Sequence, residues 1–103
     1  MTEALQYTEQ MSGETVNWSG VPEHLRGGLD RYITKGIPTG DFLRAVLSND
    51  LAGAIRNADD ESIGHLRGIY QFLYWNVPAS CFGDDESVHD WISDGGLHGR
   101  YSG

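Results

Sequence analysis

Residues 21–60, VPEHLRGGLDRYITKGIPTGDFLRAVLSNDLAGAIRNADD, decide the fold of this 103-residue chain. Apolar side chains recur there at helical spacing in three groups, and turn-forming residues separate the groups. Pro22 suits the first turn of a helix, and Gly36 suits the left-handed residue after its last turn. Gly27 and Gly28 inside this first helix predict either a local irregularity or, as we prefer, another backbone packed closely against it. The first group falls at i, i+4, i+7 and i+8: Leu25, Leu29, Tyr32 and Ile33.

The next two helices come directly after it. Residues 42–47 are almost entirely apolar, so we expect this second helix to be the most buried element. Thr39 or Asp41 is the predicted N-cap of the second helix, and Asp50 is the predicted N-cap of the third. The third helix carries one apolar face: Leu51, Ala54, Ile55 and Ala58.

The second half of the chain begins two helices with the same four residues, Asp-Asp-Glu-Ser, at 59–62 and 84–87. Acidic side chains at a helix start interact favourably with the helix dipole and cap free N–H groups. The fourth helix, at about residues 60–77, is predicted to be the longest, and Pro78 ends it. Its stripe consists of Ile63, Leu66, Tyr70, Leu73 and Val77.

A short fifth helix carries Val88 and Trp91 and ends at Gly95-Gly96. Leu97 is expected to fold back as the apolar contact of that C-cap, and the tail HGRYSG is expected to be loose.

These elements predict an all-α fold, a compact bundle of four to five short helices. Residues 21–103 form the helical domain. Residues 1–20 form an N-terminal arm, for which a short helix, a strand and a partly ordered terminus all stay open. The predicted core comprises Leu29, Tyr32, Ile33, Phe42, Val46, Leu47, Leu51, Ile55, Leu66, Ile69, Leu73 and Trp91.

The net charge limits the class of partner. Fifteen acidic and seven basic side chains give a formal charge of −8. Binding to nucleic acid without sequence preference, or to anionic lipid, requires clustered Lys and Arg, so we expect neither as a direct partner. The charge fits a protein whose partner is basic, and solubility alone also accounts for it.

The single cysteine, Cys81, allows no internal disulfide and indicates a reducing compartment. The first residues, MTEALQYTEQ, lack the basic and apolar regions of a signal peptide. No apolar run approaches the roughly 18 residues that span a bilayer.

No catalytic, metal-binding or cofactor-binding motif stands out. Cys81 with His65, His89 or His98 would form a thiolate pair, but no local motif supports it, and Cys is often a small buried hydrophobe. His89, Asp90 and His98 lack the spacing of a metal site. The glycine pairs match neither a phosphate-binding loop nor a dinucleotide fingerprint. The sequence therefore predicts a non-enzymatic protein without a cofactor or metal.

Charge is distributed unevenly along the chain. Residues 22–58 hold five basic and four acidic side chains, whereas 59–61 and 84–94 hold eight acidic and no basic ones. If the fourth and fifth helices begin on one side of the domain, their acidic starts merge into one negative face with aromatic anchors beside it. Two ordinary helix caps facing water are the alternative. The predicted partner-binding residues are Asp59, Asp60, Glu61, Asp84, Asp85, Glu86, Asp90, Asp94, Tyr74, Trp75 and Trp91.

Residues 21–62 resemble an uncharacterised family of small proteins from bacteriophages and prophages. In that pattern a Pro precedes an L-x-RY-hydrophobic helix, and a G-I/V-P-x-G-x-FL-x-AVL-x-NDL core comes next, as in GIPTGDFLRAVLSNDL here. A second block, IYQFLYWNVP, CFG and VHDWISDGGLHGR, extends the resemblance to about residue 100. The resemblance implies a phage accessory protein acting in the cytoplasm of a bacterial host. Small acidic phage proteins of this kind often inhibit host enzymes or defence systems, and some imitate nucleic acid.

The leading hypothesis is an acidic, phage-encoded inhibitor of a bacterial defence or host complex, of the anti-CRISPR type. It would occlude a basic surface of a bacterial protein or ribonucleoprotein. A second hypothesis is a homo-oligomeric structural or regulatory phage module joined through the aromatic residues of 70–75. A third is a binder of a small molecule such as a nucleotide signal, held by arginines: Arg26, Arg31, Arg44 and Arg67.

Overall fold

The computed structural model describes residues 17–101, which form seven α-helices and a 3₁₀ turn at Ala79–Cys81, without a strand. The predicted all-α class is confirmed, although the described chain is divided into more helices than the predicted four to five. Of the predicted arm, residues 1–16 lie outside the described residues. The helices are α1 (Glu23–Lys35), α2 (Asp41–Leu47), α3 (Leu51–Asn57), α4 (Asp60–Gly64), α5 (Leu66–Asn76), α6 (Asp85–Asp94) and α7 (Gly96–Tyr101).

One apolar cluster forms the core. Among the described helices, only α4 contributes no buried apolar side chain to it. Nine predicted core residues are fully or almost fully buried: Leu29, Tyr32, Ile33, Phe42, Val46, Leu47, Ile69, Leu73 and Trp91. The core also includes residues that the predicted core leaves out, among them Val21, Leu43, Val88 and Leu97.

Buried hydrogen bonds connect the end of α1 to two later elements. The indole N–H of Trp91 donates to the carbonyl oxygens of Tyr32 (2.9 Å) and Ile33 (3.2 Å). The hydroxyl of Tyr32 in turn donates to the carbonyl oxygen of Cys81 (2.6 Å). The Tyr32 carbonyl also accepts from the backbone N–H of Gly36 (2.9 Å). The Ile33 carbonyl is one of the last carbonyls of α1, which accept no hydrogen bond within the helix, and the buried indole N–H gives it a donor.

The prediction of one long helix over residues 60–77 is wrong. The helix breaks at His65, where φ is −108° and ψ is 9°, so α1 is the longest helix of the described chain. The ring Nδ1 of His65 hydrogen-bonds the carbonyl oxygen of Glu61 (2.9 Å), and the backbone N–H turns to Ser62 (3.1 Å). The imidazole thus occupies the Glu61 carbonyl oxygen, which the backbone N–H of His65 would bond in a continuing helix. The preceding Gly64 is also a weak helix former.

Leu51 and Ile55 do not belong to the core, which corrects the prediction. Their exposed fractions are 55% and 54%, and Leu66 is only half-buried. Helix α3 packs on α2 through its small residues Gly53 and Ala54, both buried. Because this narrow face allows a close approach, the larger side chains of α3 point to solvent.

The close backbone approach predicted at Gly27 and Gly28 lies elsewhere. A Cβ atom added at either position would meet only the side chain of Arg31. At Gly68, by contrast, an added Cβ would lie 2.5 Å from the carbonyl oxygen of Gly20. The start of the described chain therefore lies directly on the backbone of α5.

A second close approach joins α1 to α7. Gly36 (φ 70°) and Gly96 (φ 72°) face each other, and a Cβ on Gly96 would lie 2.5 Å from the Gly36 nitrogen. Gly36 and Gly95 are the left-handed C-caps that the sequence predicts. The loose tail is wrong for residues 98–101, which continue α7, while Leu97 is buried in the core.

The predicted caps have mixed outcomes. At α2 the N-cap is Gly40, and no side chain caps the helix, so Thr39 and Asp41 do not have the predicted role. At α3 the carboxylate of Asp50 accepts from the backbone N–H of Gly53 (3.0 Å), as predicted.

Candidate interaction surfaces

Helix α6 presents an acidic face to solvent. It buries Val88 and Trp91 on one side. On the other side Glu86, Asp90 and Asp94 stand at i, i+4 and i+8, and all three are exposed. Carboxylates one turn apart repel each other and lower helix stability by about 0.2–0.5 kcal/mol per pair. The helix therefore carries a continuous stripe of like charge along its outer surface.

The start of α6 is held by two different interactions. The carboxylate of Asp84 accepts from the backbone N–H of Ser87 (2.7 Å), and the hydrogen bonds from Ser87 hold the pKa of Asp84 below its ordinary value. Asp85 accepts from the guanidinium of Arg44 at 2.9 Å and lies 3.4 Å from the hydroxyl of Ser48. The hydrogen bond and charge of Arg44 lower the pKa of Asp85, so both carboxylates are ionised at neutral pH.

The other acidic start, at α4, lies against α1. Asp59 caps α4 by accepting from the backbone N–H of Ser62 (2.7 Å), and the hydrogen bonds from Ser62, more than the charge of His24, lower its pKa. The imidazole of His24 is 4.0 Å from the carboxylate of Asp59 and 3.7 Å from that of Glu61. Asp60 is exposed beside them.

The two acidic starts therefore contact different parts of the scaffold. Residues 59–61 lie against His24 of α1, and Asp85 lies against Arg44 of α2. Whether they act as one negative face stays a prediction.

Of the predicted aromatic anchors, Trp91 is wrong. Only 1% of Trp91 is exposed, and its N–H is used inside the core, so it cannot contact a partner. Tyr74 and Trp75 are 71% and 63% exposed, and their rings meet edge to face with centroids 4.9 Å apart. Large exposed rings on adjacent residues are unusual on a protein surface without a partner.

These two rings border a shallow groove of about 310 Å³ on the outside of α5. Tyr70 and Phe82 complete the apolar part of its lining, Gln71 adds an amide, and Arg67 provides its charged group. The Tyr70 hydroxyl lies 3.2 Å from the carbonyl oxygen of Val46, so its ring, rather than its polar end, is available to the groove. We call this lining set the α5 groove.

The arginines predicted to surround an anionic ligand are not assembled into one pocket. Arg31 lines a groove beside His24, Arg44 lines one beside Asp85, and Arg67 lines the α5 groove. Arg26 donates from Nε to the carbonyl oxygen of Val21 (2.8 Å). Three cations in three places provide no common phosphate site.

The groove beside Asp85 is a feature that the sequence does not reveal. Its volume is about 380 Å³, and residues of α2, α3 and α6 line it with charges of both signs. Arg44 and Asp85 are 41 positions apart, so no local pattern signals their pairing. The Nε atom of Arg44 is buried there without a hydrogen-bond partner. The lining charges are Asp41, Arg44, Asp50, Arg56 and Asp85.

The residues considered for catalysis are dispersed. Cys81 is fully buried in the core, whereas His65, His89 and His98 are exposed. Within residues 17–101, no three His, Cys, Asp or Glu side chains come together as a metal-binding group. None of the helices in this described range has both the length and the apolar character to cross a bilayer.

Comparison of the chain with known protein families, curated proteins and solved structures finds no match. The interaction surfaces described above are therefore the basis for a functional proposal.

Proposed function

We propose that this chain is a non-enzymatic binding protein that uses its acidic helices to occupy a basic surface on a bacterial protein or ribonucleoprotein. The observation that carries the proposal is the exposed stripe of Glu86, Asp90 and Asp94 on α6. No Lys or Arg occurs between residues 68 and 99, and the His89 imidazole of the same helix lies 3.7 Å from the carboxylate of Asp90. The carboxylates of α4 add charge to the same molecule.

An acidic stripe on a rigid helix suits a partner that normally binds phosphates. Carboxylates at one-turn spacing compete for the same Lys and Arg side chains, and their field raises the rate of encounter. Such contacts weaken as salt rises, because counterions screen the charges beyond about 8–10 Å. The resemblance to small phage proteins supports the further proposal that the partner belongs to a host defence system of the CRISPR type.

Charge reversal on α6 tests the electrostatic part. The protein is immobilised, and captured proteins from a bacterial lysate are quantified by mass spectrometry at several salt concentrations. We expect E86K/D90K to reduce capture of the specific partner at least tenfold and to flatten its salt dependence. The matched control, E23K/D41K, changes the net charge equally at two other exposed positions and should retain capture. Equal loss in both variants would contradict a role for α6.

Plating efficiency tests the anti-defence part. The protein is expressed in bacteria with and without an active CRISPR system, and the strains are challenged with a phage that the system targets. Restored plaque formation only in the strain with the defence supports the proposal, and E86K/D90K should abolish it. Unchanged plating against a panel of defence systems would overturn the anti-defence part. The electrostatic part would still be tested by the binding assay alone.

A further inference from the structure

The α5 groove differs in character from the rest of the acidic half of the molecule. Between Asp59 and Asp94 the sequence holds eight acidic side chains and one basic one, Arg67. That single cation lines the α5 groove, where no carboxylate lines the same surface. The groove therefore combines an apolar floor with a local positive charge on a protein of net charge −8.

From this combination we infer that the α5 groove is a second binding site, for an extended proline-rich segment of a partner protein that carries an acidic residue. The site is separate from the acidic stripe on α6. It would select an acidic ligand, whereas the stripe would select a basic one. It goes beyond the proposed function, since it adds a distinct surface with its own class of ligand.

The aromatic geometry favours proline over other apolar residues. Tyr74 and Trp75 contact each other edge to face, at 89°, and both rings stay largely exposed at the border of the groove. Aromatic-lined grooves bind polyproline II segments, whose prolines pack on exposed ring surfaces. The peptide is already extended and its prolines have little side-chain entropy to lose, which matters for a shallow groove that offers few contacts.

Charge complementarity determines the flanking residue. An acidic side chain within reach of the Arg67 guanidinium gains a local ion pair, whereas a basic side chain there is repelled. No carboxylate lines the groove, and salt screens charges elsewhere on the molecule beyond about 8–10 Å. The Gln71 amide at the same groove is a donor suited to the free carbonyl groups of a polyproline II backbone.

The test uses the full chain and the blocked peptide acetyl-PPEPPPEPP-amide, followed by NMR chemical-shift perturbation and isothermal titration calorimetry. Two further peptides serve as ligand controls: acetyl-GGEGGGEGG-amide keeps the charge without the prolines, and acetyl-PPKPPPKPP-amide reverses the charge. We expect saturable binding of the Pro/Glu peptide, about tenfold tighter than either control, with shifts confined to residues around α5.

Variants locate the site. W75A should weaken binding about tenfold and Y74A somewhat less, because each removes an exposed ring. R67Q should weaken it about threefold, with a larger effect at low salt. I55A is the matched control, because Ile55 is similarly exposed on α3 and lies outside the groove. Circular dichroism confirms that each variant is folded.

Four results would overturn the inference. The Gly/Glu peptide binding as tightly as the Pro/Glu peptide would remove the role of proline. Tighter binding of the Pro/Lys peptide would show that the aromatic rings bind a basic side chain and that the ligand is not acidic. Undiminished binding by W75A would place the peptide elsewhere. Sedimentation of the wild type as a dimer that W75A dissociates would make a second copy of the chain the occupant.

Discussion

Residues 59–62 and 84–87 are the same tetrapeptide, Asp-Asp-Glu-Ser, and they begin two very different helices. Both form the same cap, with the first Asp accepting from the backbone N–H of the Ser at 2.7 Å. Yet α4 ends after five residues, whereas α6 continues for ten. The cap is thus a local property of the sequence, and the length of the helix depends on the residues beyond the cap.

The difference lies in how well those later side chains are packed. Ile63 is 40% exposed, while its counterpart Val88 is fully buried. Leu66 is half-buried, and its counterpart Trp91 is the largest fully buried side chain of the described core. Most of the stability of a short helix comes from packing its apolar face, so α6 is held by the core, while α4 depends mainly on its cap.

The largest test of this contrast is Trp91→Ala. Removing a buried aromatic costs about 3–5 kcal/mol, and here it also takes the indole donor from the Ile33 carbonyl, while the Tyr32 carbonyl keeps the N–H of Gly36. We expect a large loss in the free energy of unfolding from urea denaturation. Leu66 stands at the same distance from the Asp59 cap as Trp91 from the Asp84 cap, and Leu66→Ala should reduce the free energy of unfolding clearly less. Equal reductions in the two variants would refute the contrast. If W91A does not fold, W91F is the milder substitution to measure.

The next test compares Val88→Ala with Ile63→Ala. The valine change deletes two buried methyl groups and should cost about 2 kcal/mol. The isoleucine change removes more carbon atoms, but from a partly exposed position, and should cost less than about 1 kcal/mol. Thermal melting of both variants under the same conditions measures the difference. A larger loss for I63A would mean that α4 is anchored by packing after all.

Gly64→Ala should stabilise the protein, in contrast to the substitutions above. A Cβ added at Gly64 meets nothing within 4 Å, and alanine is a better helix former than glycine by about 1 kcal/mol. We expect a stabilisation of about 0.5–1 kcal/mol and slower hydrogen exchange of the α4 amides. The matched change H89A on α6 should leave stability nearly unchanged. Destabilisation by G64A would show that the bend at His65 is required by the fold.

The smallest expected effect concerns pH. Asp59 and Asp84 have pKa values lowered below 3.8 by the hydrogen bonds from Ser62 and Ser87. A lowered pKa in the folded state contributes stability above pH 3.8 that is lost as the pH falls through the folded value. D59N/D84N retains capping residues without this titration. Its melting temperature should therefore fall less steeply than that of the wild type between about pH 5 and pH 2, and identical slopes would contradict the assignment.

The same contrast explains which features the sequence could predict. Most local signals were reliable: the left-handed glycines at 36 and 95, and the aspartate caps at 50, 59 and 84, depend on neighbouring residues alone. The cap predicted for α2 at Thr39 or Asp41 is the exception, since Gly40 takes that position. Helical spacing also identified most of the core. It could not tell that Leu51 and Ile55 face outward, because that depends on how closely α3 approaches α2 through Gly53.

The candidate surfaces were predictable only in part. The carboxylates of α4 and α6 are exposed, as expected of charged side chains. The sequence could not show that Trp91 is buried and Trp75 exposed. Both are aromatic residues on helices, and only the packing of α6 on α1 decides which one is buried. The pairing of Arg44 with Asp85 joins distant parts of the chain, so no spacing in the sequence indicates it.

The backbone contact between Gly36 and Gly96 also has a consequence for biosynthesis. The end of α1 is covered by α7, which the ribosome makes about 60 residues later. At a synthesis rate of roughly 5–20 residues per second, that interval lasts about 3–12 s, and during it the apolar end of α1 is not yet covered by α7. A nascent chain with this topology completes its core late, and slowing translation between these two glycines should lengthen its exposure to chaperones and proteases.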